Sequence, residues 1–421
     1  MIKKFRLLIN NNDAKTLLEN FLSLSVLKIL GYVFPLLTIP YLARVIGLDK
    51  FGELAFASSV IVFFQTLVDF GFNYTATRDV AKNKANLQLV SKIYSTVLVA
   101  RIILLIISFL LLLLLINLVP LLKENEIILL LTFTYVVGYV LFPEWIFQAL
   151  EKMKFITIMN VVSKSIFTIL VFIVILNKQD YIYQPVLIGL GYFVSGILSM
   201  IILWKKFKVK FILPSFYDVK KSILNSSDMF LSLFLPNLYT NFSVIYLTKI
   251  HGDSATGIFS SGFRFVEIFD QLIQVLSRTS YPYLARKMNK HDTYIIIGLV
   301  FSSFASVSLF LFSSILINLF YTNEFIDAVL IIKIMSICPF FLFLINTYGP
   351  NYLVLVGKEK TLRNIVFYCS LFGLILTLIF TYFFGYIGTA ITLTIVWGFR
   401  GFITWYQANK HKRNKSIIKK K

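Results

Sequence analysis

Residues 102–119 read IILLIISFLLLLLLINLV, a run that contains no charged side chain. An α-helix rises about 1.5 Å per residue, so about 20 apolar residues cross the hydrocarbon core of a bilayer. The rest of the chain has the same character, because 58% of its 421 residues are hydrophobic and 14% are charged. Its mean hydropathy is +0.80, whereas soluble domains carry about 25% charged residues. The composition therefore indicates an integral membrane protein.

Apolar runs of spanning length recur along the chain. Lipid cannot hydrogen-bond a bare backbone, so each span should be a helix. The predicted fold class is an all-α integral membrane protein with about twelve transmembrane helices. The approximate spans are 21–45, 53–76, 93–118, 126–147, 156–177, 185–204, 223–248, 256–281, 293–320, 328–355, 364–384 and 386–407.

Lys and Arg are distributed very unevenly over the connections between these spans. Counted alternately from the N-terminus, one set of connections holds 29 of them and the other set holds four: Lys50, Lys123, Lys178 and Lys249. Cytoplasmic loops are the ones enriched in Lys and Arg. Both termini are therefore predicted to be cytoplasmic. The net charge of +21 reflects topology and contact with an anionic leaflet rather than nucleic-acid binding.

A short motif occurs twice at an offset of 205. Residues 39–59 read IPYLARVIGLDKFGELAFASS and residues 244–264 read VIYLTKIHGDSATGIFSSGFR, with Gly47 on Gly252 and Gly52 on Gly257. Each copy ends the first helix of a predicted six-helix half, so the repeat is parallel and MATE-like alternating access about a central site is expected. The predicted domains are 1–204 and 223–407 as six-helix bundles, 205–222 as a cytoplasmic linker and 408–421 as a basic cytoplasmic tail.

Catalytic motifs are absent from the sequence. No phosphate-binding GxxxxGK[ST] loop occurs, the three histidines lie far apart, and both cysteines lie inside apolar runs. No connection exceeds about 20 residues, which leaves no room for an extramembrane catalytic domain. We therefore predict a transporter rather than an enzyme, without cofactor or metal.

Ionisable residues inside spanning helices are costly and usually face an interior cavity. The candidates for a cationic, substrate-binding cavity are Lys28, Arg101, Lys164, Arg264, Arg278 and Arg400. The candidates for ion coupling or for the polar cavity wall are Asp69, Glu144, Asp228, Glu267, Asp270, Gln271 and Gln274. Asp69 and Glu144 are the first candidates for carrying a proton or binding a sodium ion, because an apolar setting raises the pKa of a carboxylate.

The eighth span, GFRFVEIFDQLIQVLSR (262–278), carries the clearest pattern. Arg264, Glu267, Gln271, Gln274 and Arg278 recur at spacings of 3 and 4 and so form one polar stripe on a helix. A simple Arg264–Glu267 ion pair is the alternative, but a pair does not account for five polar groups on one face. A cavity with more Lys and Arg than Asp and Glu fits an anionic substrate, since both side chains bind phosphate. For Lys164 and Arg400, a structural partner explains the charge as well as a cavity does.

Three segments resemble one known family. FGELAFASSVIVFFQTLVDFGFNYTATRDVAKNK (51–84), FPEWIFQALEKMK (142–154) and SYPYLARK (280–287) are similar to the second-helix, fourth-helix and eighth-helix segments of Wzx-type flippases. These flippases form the polysaccharide transport branch of the superfamily that also contains the MATE drug exporters. The resemblance extends over the whole chain in length, span count and orientation.

The resemblance implies a substrate and a location. The family moves an oligosaccharide repeat unit on undecaprenyl pyrophosphate from the cytoplasmic to the periplasmic leaflet of the bacterial inner membrane. The pyrophosphate would bind Lys28, Arg101, Arg264 and Lys164. H⁺ or Na⁺ would drive transport. A monomer is expected, in contact with membrane lipids and with a polysaccharide polymerase and a chain-length regulator as partners. Whether the product is O-antigen or capsule is open.

Three other functions stay open at this point. A MATE-like exporter of small cations shares the architecture, but it would need a cavity dominated by acidic groups. A membrane-embedded polysaccharide polymerase would need a sizeable outer loop that carries catalytic groups. A relative of the lipid II flippases would typically have fourteen spans rather than twelve.

Overall fold

Fifteen α-helices make up most of the described chain. The computed structural model describes residues 12–286, 288 and 291–418; the side chains of 12–33, 35–36, 278–279, 281–283, 285–286 and 414–418 lie outside the description. The helices are α1 Asn12–Asp69, α2 Phe72–Lys82, α3 Leu87–Leu118, α4 Pro120–Glu124, α5 Glu126–Leu141, α6 Glu144–Ala149, α7 Met153–Val174, α8 Tyr183–Lys205, α9 Phe216–Asn237, α10 Asn241–Arg286, α11 His291–Phe320, α12 Ala328–Met335, α13 Cys338–Tyr348, α14 Glu359–Leu376 and α15 Tyr382–Ile418. Two 3₁₀ turns, Lys178–Ile182 and Asn323–Phe325, and two π-helical turns, Gly349–Val354 and Thr377–Thr381, complete the secondary structure of these ranges.

Nine helical stretches within the described ranges are long and apolar enough to cross a membrane. The predicted all-α membrane fold is therefore confirmed. Three stretches, Leu37–Lys82, Phe216–Ser277 and Glu359–Arg413, have 46, 62 and 55 residues, which exceeds the roughly 20 residues of one span. If each is divided in two, the nine become the twelve predicted spans. The count of twelve and the cytoplasmic termini stay predictions.

Two glycines divide the longest helices in the same way. Gly47 in α1 has φ 74° and ψ 179°, and Gly252 in α10 has φ 81° and ψ −179°. Only glycine adopts this region of backbone space without strain. The two positions are the ones that the sequence alignment paired at an offset of 205. Their matching backbone supports the internal repeat.

The chain forms two compact units. The N-unit comprises Met1–Ile46 and Val60–Phe234, and the C-unit comprises Gly47–Ser59 and Leu235–Lys421. The segment between the Gly47 kink and Ser59 thus packs with the C-unit although it precedes most of the N-unit in sequence. The boundary after Phe234 lies inside α9, two residues before Pro236. The predicted bundles, 1–204 and 223–407, stay a prediction.

Small residues allow close helix crossings in the N-unit. A methyl group at Gly138 of α5 would lie 2.8 Å from the carbonyl oxygen of Gly189 in α8, and one at Gly189 would lie 2.6 Å from Oγ1 of Thr134 in α5. Glycine at both positions therefore lets the two helices approach closely. Between α1 and α2 the chain breaks at Phe70 and Gly71, both with positive φ. Phe230 of α9 stacks on Phe70 with ring centroids 4.5 Å apart. This break holds Asp69 at the end of α1, where the charged cluster described below forms.

Candidate functional site

One face of α10 is polar and accessible, as the stripe in the sequence predicts. Arg264 and Glu267 have half-exposed side chains and form an ion pair, with Nη1 3.3 Å from Oε2. Gln271 is exposed, and Gln274 donates from Nε2 to Oδ2 of Asp270 over 2.9 Å. The opposite face, with Phe265, Val266 and Ile273, is buried in the C-unit. An accessible polar face on a spanning helix requires water or a polar ligand beside it.

Arg400 of α15 lies deep in its helix with no carboxylate partner among the described residues. Its Nη1 donates to the hydroxyl of the buried Tyr239 over 3.3 Å, and its Nε is buried with no hydrogen-bond partner in the described chain. A guanidinium carries five N–H donors. Arg400 therefore keeps donor capacity for an anion.

Arg101 is paired with an acidic residue inside the N-unit, although its Nε, like that of Arg400, is buried with no hydrogen-bond partner in the described chain. Its side chain is 2% exposed, and Nη2 contacts Oδ1 of Asp69 at 2.5 Å. The same nitrogen donates to Oδ1 of Asn73 over 3.0 Å. Tyr139 places its ring 5.6 Å from the guanidinium carbon and donates to Asp69 Oδ1 over 3.1 Å. The geometry favours a structural role for Arg101 and Asp69.

Glu144 and Lys164 form a second polar group in the N-unit. Oε1 of Glu144 accepts from Nδ2 of Asn160 over 2.7 Å. Lys164 makes no hydrogen bond or ion pair within the described part of the chain, but it lies within electrostatic range of Glu144. The hydroxyl groups of Tyr135 and Tyr192 are also within electrostatic range of this carboxylate. Glu144 thus has polar neighbours on α5, α7 and α8.

For two of the remaining predicted site residues, the structure describes the backbone alone. Lys28 lies in α1 and Arg278 in α10, but their side chains lie outside the described residues. Asp228 is exposed on α9. No cluster of three or more His, Cys, Asp or Glu that could hold a metal occurs among the residues the structure describes.

The predicted site residues do not include the neutral neighbours of the charged groups, which are Asn73, Tyr135, Tyr139, Asn160, Tyr192 and Tyr239. They also omit Gln65, whose Nε2 donates to the hydroxyl of Tyr135 over 3.0 Å. A usable signal was present for some of them. Gln65, Asp69 and Asn73 follow one another at intervals of four, and so do Tyr135 and Tyr139. Side chains four apart lie on one helical face. Polar side chains repeated at that spacing in two different spans would have indicated a buried polar contact between them.

Several known proteins are similar to this chain in sequence. The family described as "Polysaccharide biosynthesis protein" matches residues 17–288. An Escherichia coli (strain K12) protein named "Putative O-antigen transporter" is 28% identical over 392 residues, covering 91% of this chain and 94% of that protein. A Shigella dysenteriae protein of the same name is 25% identical over 382 residues, covering 89% and 96%.

Solved structures with very different sequences share the fold. The lipid II flippase MurJ in an inward closed conformation has a TM-score of 0.68 at 16% identity, covering 93% of this chain and 87% of that one. An inward-facing multidrug resistance transporter of the MATE family has a TM-score of 0.67 at 13% identity, covering 95% and 99%. The predicted MATE-like fold is confirmed.

These matches also bear on function class and location. The family match confirms the resemblance to Wzx-type flippases. The matched proteins carry the names of transporters and flippases, in agreement with the prediction that the chain is not an enzyme. A multi-pass chain related to bacterial O-antigen transporters also agrees with the predicted inner membrane.

Proposed function

Because the chain belongs to the polysaccharide biosynthesis protein family, we propose that it flips a lipid-linked precursor of a surface polysaccharide. The substrate would be an oligosaccharide repeat unit on undecaprenyl pyrophosphate, moved from the cytoplasmic to the periplasmic leaflet. The names of the O-antigen transporter relatives support this proposal.

The observation that carries the proposal is a pair of arginine side chains in the C-unit that can bind an anion. Arg264 lies on the open polar face of α10, and the partly buried Arg400 has an Nε with no hydrogen-bond partner in the described chain. Arginine binds phosphate through two parallel hydrogen bonds, and the bond is strong because both groups are charged. We assign the pyrophosphate to these two residues. Lys28, Lys164 and Arg278 are further candidates for the same anion.

The polar residues beside Arg264 would serve the sugar part of the substrate. Gln271 and Gln274 carry amide groups that both donate and accept hydrogen bonds, and they follow Arg264 along one face of α10. The lipid tail would stay in the bilayer, where it costs no desolvation. A mobile cation would supply the driving force, with Glu144 as its carrier.

Reconstitution into liposomes tests the proposal directly. A pyrophosphate-linked lipid with a fluorescent oligosaccharide is placed in both leaflets, and the inner pool is quenched only after it is flipped outward. Arg264→Ala and Arg400→Ala should each slow flipping at least tenfold, because each removes one charged bond to the phosphate (about 1.5–3 kcal/mol). Arg264→Lys should retain part of the activity, since it keeps the charge and loses the planar fork.

Lys358→Ala is the matched control, because Lys358 is an exposed cation in the loop after α13. Flipping that is unchanged in both arginine variants would refute the assignment of the pyrophosphate. Failure of the wild-type protein to flip this lipid, together with export of a small organic cation, would favour the MATE-like exporter.

A further inference from the structure

The segment that joins α8 to α9 combines exposed apolar side chains with lysines. Residues 204–221 read WKKFKVKFILPSFYDVKK, and we call them the junction segment. The segment lies within the N-unit. Helix α8 ends at Lys205 and α9 begins at Phe216. Both helices belong to stretches of spanning length, so the segment lies where the chain leaves and re-enters the membrane.

The junction segment has a buried side and an exposed side. Val209 and Val219 are 3% and 4% exposed and belong to a core cluster of the N-unit. Leu213, Phe216 and Tyr217 are 82%, 80% and 69% exposed. Water is a poor environment for a contiguous set of large apolar side chains, which usually marks an interaction site.

Hydrogen bonds that the segment donates to α3 fix its backbone. The N–H of Lys210 donates to Oγ of Ser91 over 3.1 Å, and the N–H of Ile212 donates to Oγ of Ser95 over 2.8 Å. Oδ2 of Asp218 lies 2.9 Å from Nζ of Lys92. The exposed side chains therefore project from a backbone that is held in place at both ends of the turn.

The exposed charged side chains of the junction segment are lysines. Its six lysines are Lys205, Lys206, Lys208, Lys210, Lys220 and Lys221, and all are exposed. None of them has an ion pair within the described ranges, and the one acidic residue of the segment, Asp218, is bound to Lys92 from α3. The six positive charges are available to a partner with negative charge.

We propose that the junction segment binds anionic lipids of the cytoplasmic leaflet. Leu213, Phe216 and Tyr217 enter the boundary between headgroups and acyl chains, and the surrounding lysines contact headgroup phosphates. Surfaces that combine apolar side chains with clustered Lys bind anionic bilayers through apolar insertion and through electrostatic attraction. The distribution of Lys and Arg puts this segment on the cytoplasmic side. The proposal is independent of which molecule the protein flips.

Insertion can be measured with nitroxide spin labels on the full-length protein in nanodiscs. Leu213→Cys and Phe216→Cys supply the labelling sites, and Ala85→Cys, at an exposed position in the turn between α2 and α3, is the aqueous control. Cys338 and Cys369 are buried, so the protein without an added cysteine should give only background signal. Labels at 213 and 216 should be accessible to oxygen and protected from a water-soluble nickel chelate, with the reverse at 85. Chelate access at 213 and 216 equal to that at 85 would overturn the proposal.

Lipid preference is tested by native mass spectrometry of protein incubated with phosphatidylglycerol or phosphatidylcholine. Lys208→Gln/Lys210→Gln should reduce phosphatidylglycerol retention at least fivefold, since each lysine near a charged surface contributes on the order of fivefold, and should leave phosphatidylcholine unchanged. Lys358→Gln/Lys360→Gln, at two exposed lysines where α14 begins, is the control pair. Equal losses in the two double variants, or no loss in either, would refute the specific role of the junction segment.

Discussion

The hydroxyl of Ser254 donates to Oδ1 of Asp49 over 2.5 Å, and these residues are 205 positions apart. They are therefore equivalent positions in the two copies of the repeated motif. The packing around them is reciprocal. A methyl group at Gly52 would overlap the carbonyl oxygen of Asp253, and one at Gly257 would lie 2.6 Å from that of Leu48. Gly52 and Gly257 are 205 residues apart, and so are Leu48 and Asp253, so the two contacts are equivalent. The two motifs therefore meet about a local pseudo-twofold axis.

Gly52→Ala tests this crossing. The added methyl group would meet backbone, which cannot move aside as a side chain can. Overpacking of this kind typically costs about 1–3 kcal/mol, so the midpoint of thermal unfolding in detergent should fall. Gly349→Ala is the control, because its nearest neighbour is Cδ1 of Leu362 at 3.3 Å, the flexible end of a side chain. A Gly52→Ala protein as stable as this control would contradict the close crossing.

Asp253, beside the same crossing, should make stability depend on pH. It lies in the connection between the seventh and eighth predicted spans, outside the membrane-spanning segments. Burial raises the pKa of its carboxyl; Glu53 and Asp49 raise it further, and Lys50 opposes them. The folded state therefore holds this proton more tightly than the unfolded state, whose Asp pKa is about 3.9. Stability is gained as pH falls toward the raised pKa, and the buried charge is unfavourable above it.

Asp253→Asn removes that unfavourable charge. The variant should have a higher unfolding midpoint than wild type at pH 7, and its midpoint should rise less on going to pH 5. Thermal unfolding followed by intrinsic fluorescence across this range is the measurement. Asp79→Asn, at an exposed carboxylate paired with Arg78, serves as control. An Asp253→Asn protein that is less stable than wild type at pH 7 would show that the charge is favourable.

The Asp69–Arg101 pair should dominate the stability of the N-unit. Removing one member of a buried ion pair leaves the other charge uncompensated, at a cost of about 3–5 kcal/mol. Arg101→Met and Asp69→Asn should therefore each destabilise the protein strongly. The double variant should be more stable than Arg101→Met alone, because no buried charge remains. Unfolding midpoints of the four proteins complete a double-mutant cycle, and strictly additive losses would contradict direct coupling.

Local patterns explain what could be predicted from the sequence. The membrane class follows from apolar runs such as 102–119, and the polar face of α10 follows from residues at spacings of 3 and 4. Gly47 and Gly252 could be aligned because the motif around them is short and repeated. Each of these inferences uses neighbours in sequence, and the backbone periodicity translates them directly into structure.

Which group neutralises or solvates a buried charge could not be predicted in the same way. Arg101 and Asp69 lie 32 residues apart on different helices, and a charge inside a membrane can be satisfied by water, by substrate or by a counter-ion. The depth of Arg101 in its span indicated a cavity, whereas packing of α3 against the break at Phe70 and Gly71 gives it a carboxylate. Only the relative rotation of the helices decides between these outcomes, and no local pattern encodes that rotation.

The contrast between the two N-unit carboxylates predicts which of them couples transport to an ion gradient. Asp69 forms an ion pair with the buried Arg101, with Oδ1 2.5 Å from Nη2, and breaking such a pair would leave a buried charge without its partner. Glu144 accepts a hydrogen bond from a neutral amide and has Lys164 at longer range. A neutral amide can donate to a carboxyl group in its charged and in its protonated form, so Glu144 keeps this partner when it releases and rebinds a proton. Glu144 is therefore the expected carrier and Asp69 is not.

In liposomes with an imposed pH gradient, wild-type flipping should be faster than without the gradient. Glu144→Gln should retain downhill flipping and lose this acceleration, because the amide cannot titrate. Glu267→Gln, on the accessible face of α10, is the matched control and should keep the acceleration. The same experiment with a sodium gradient distinguishes the two candidate ions. If Glu144→Gln still responds fully to both gradients, then Glu144 does not carry the coupling ion, and a residue outside this cluster must do so.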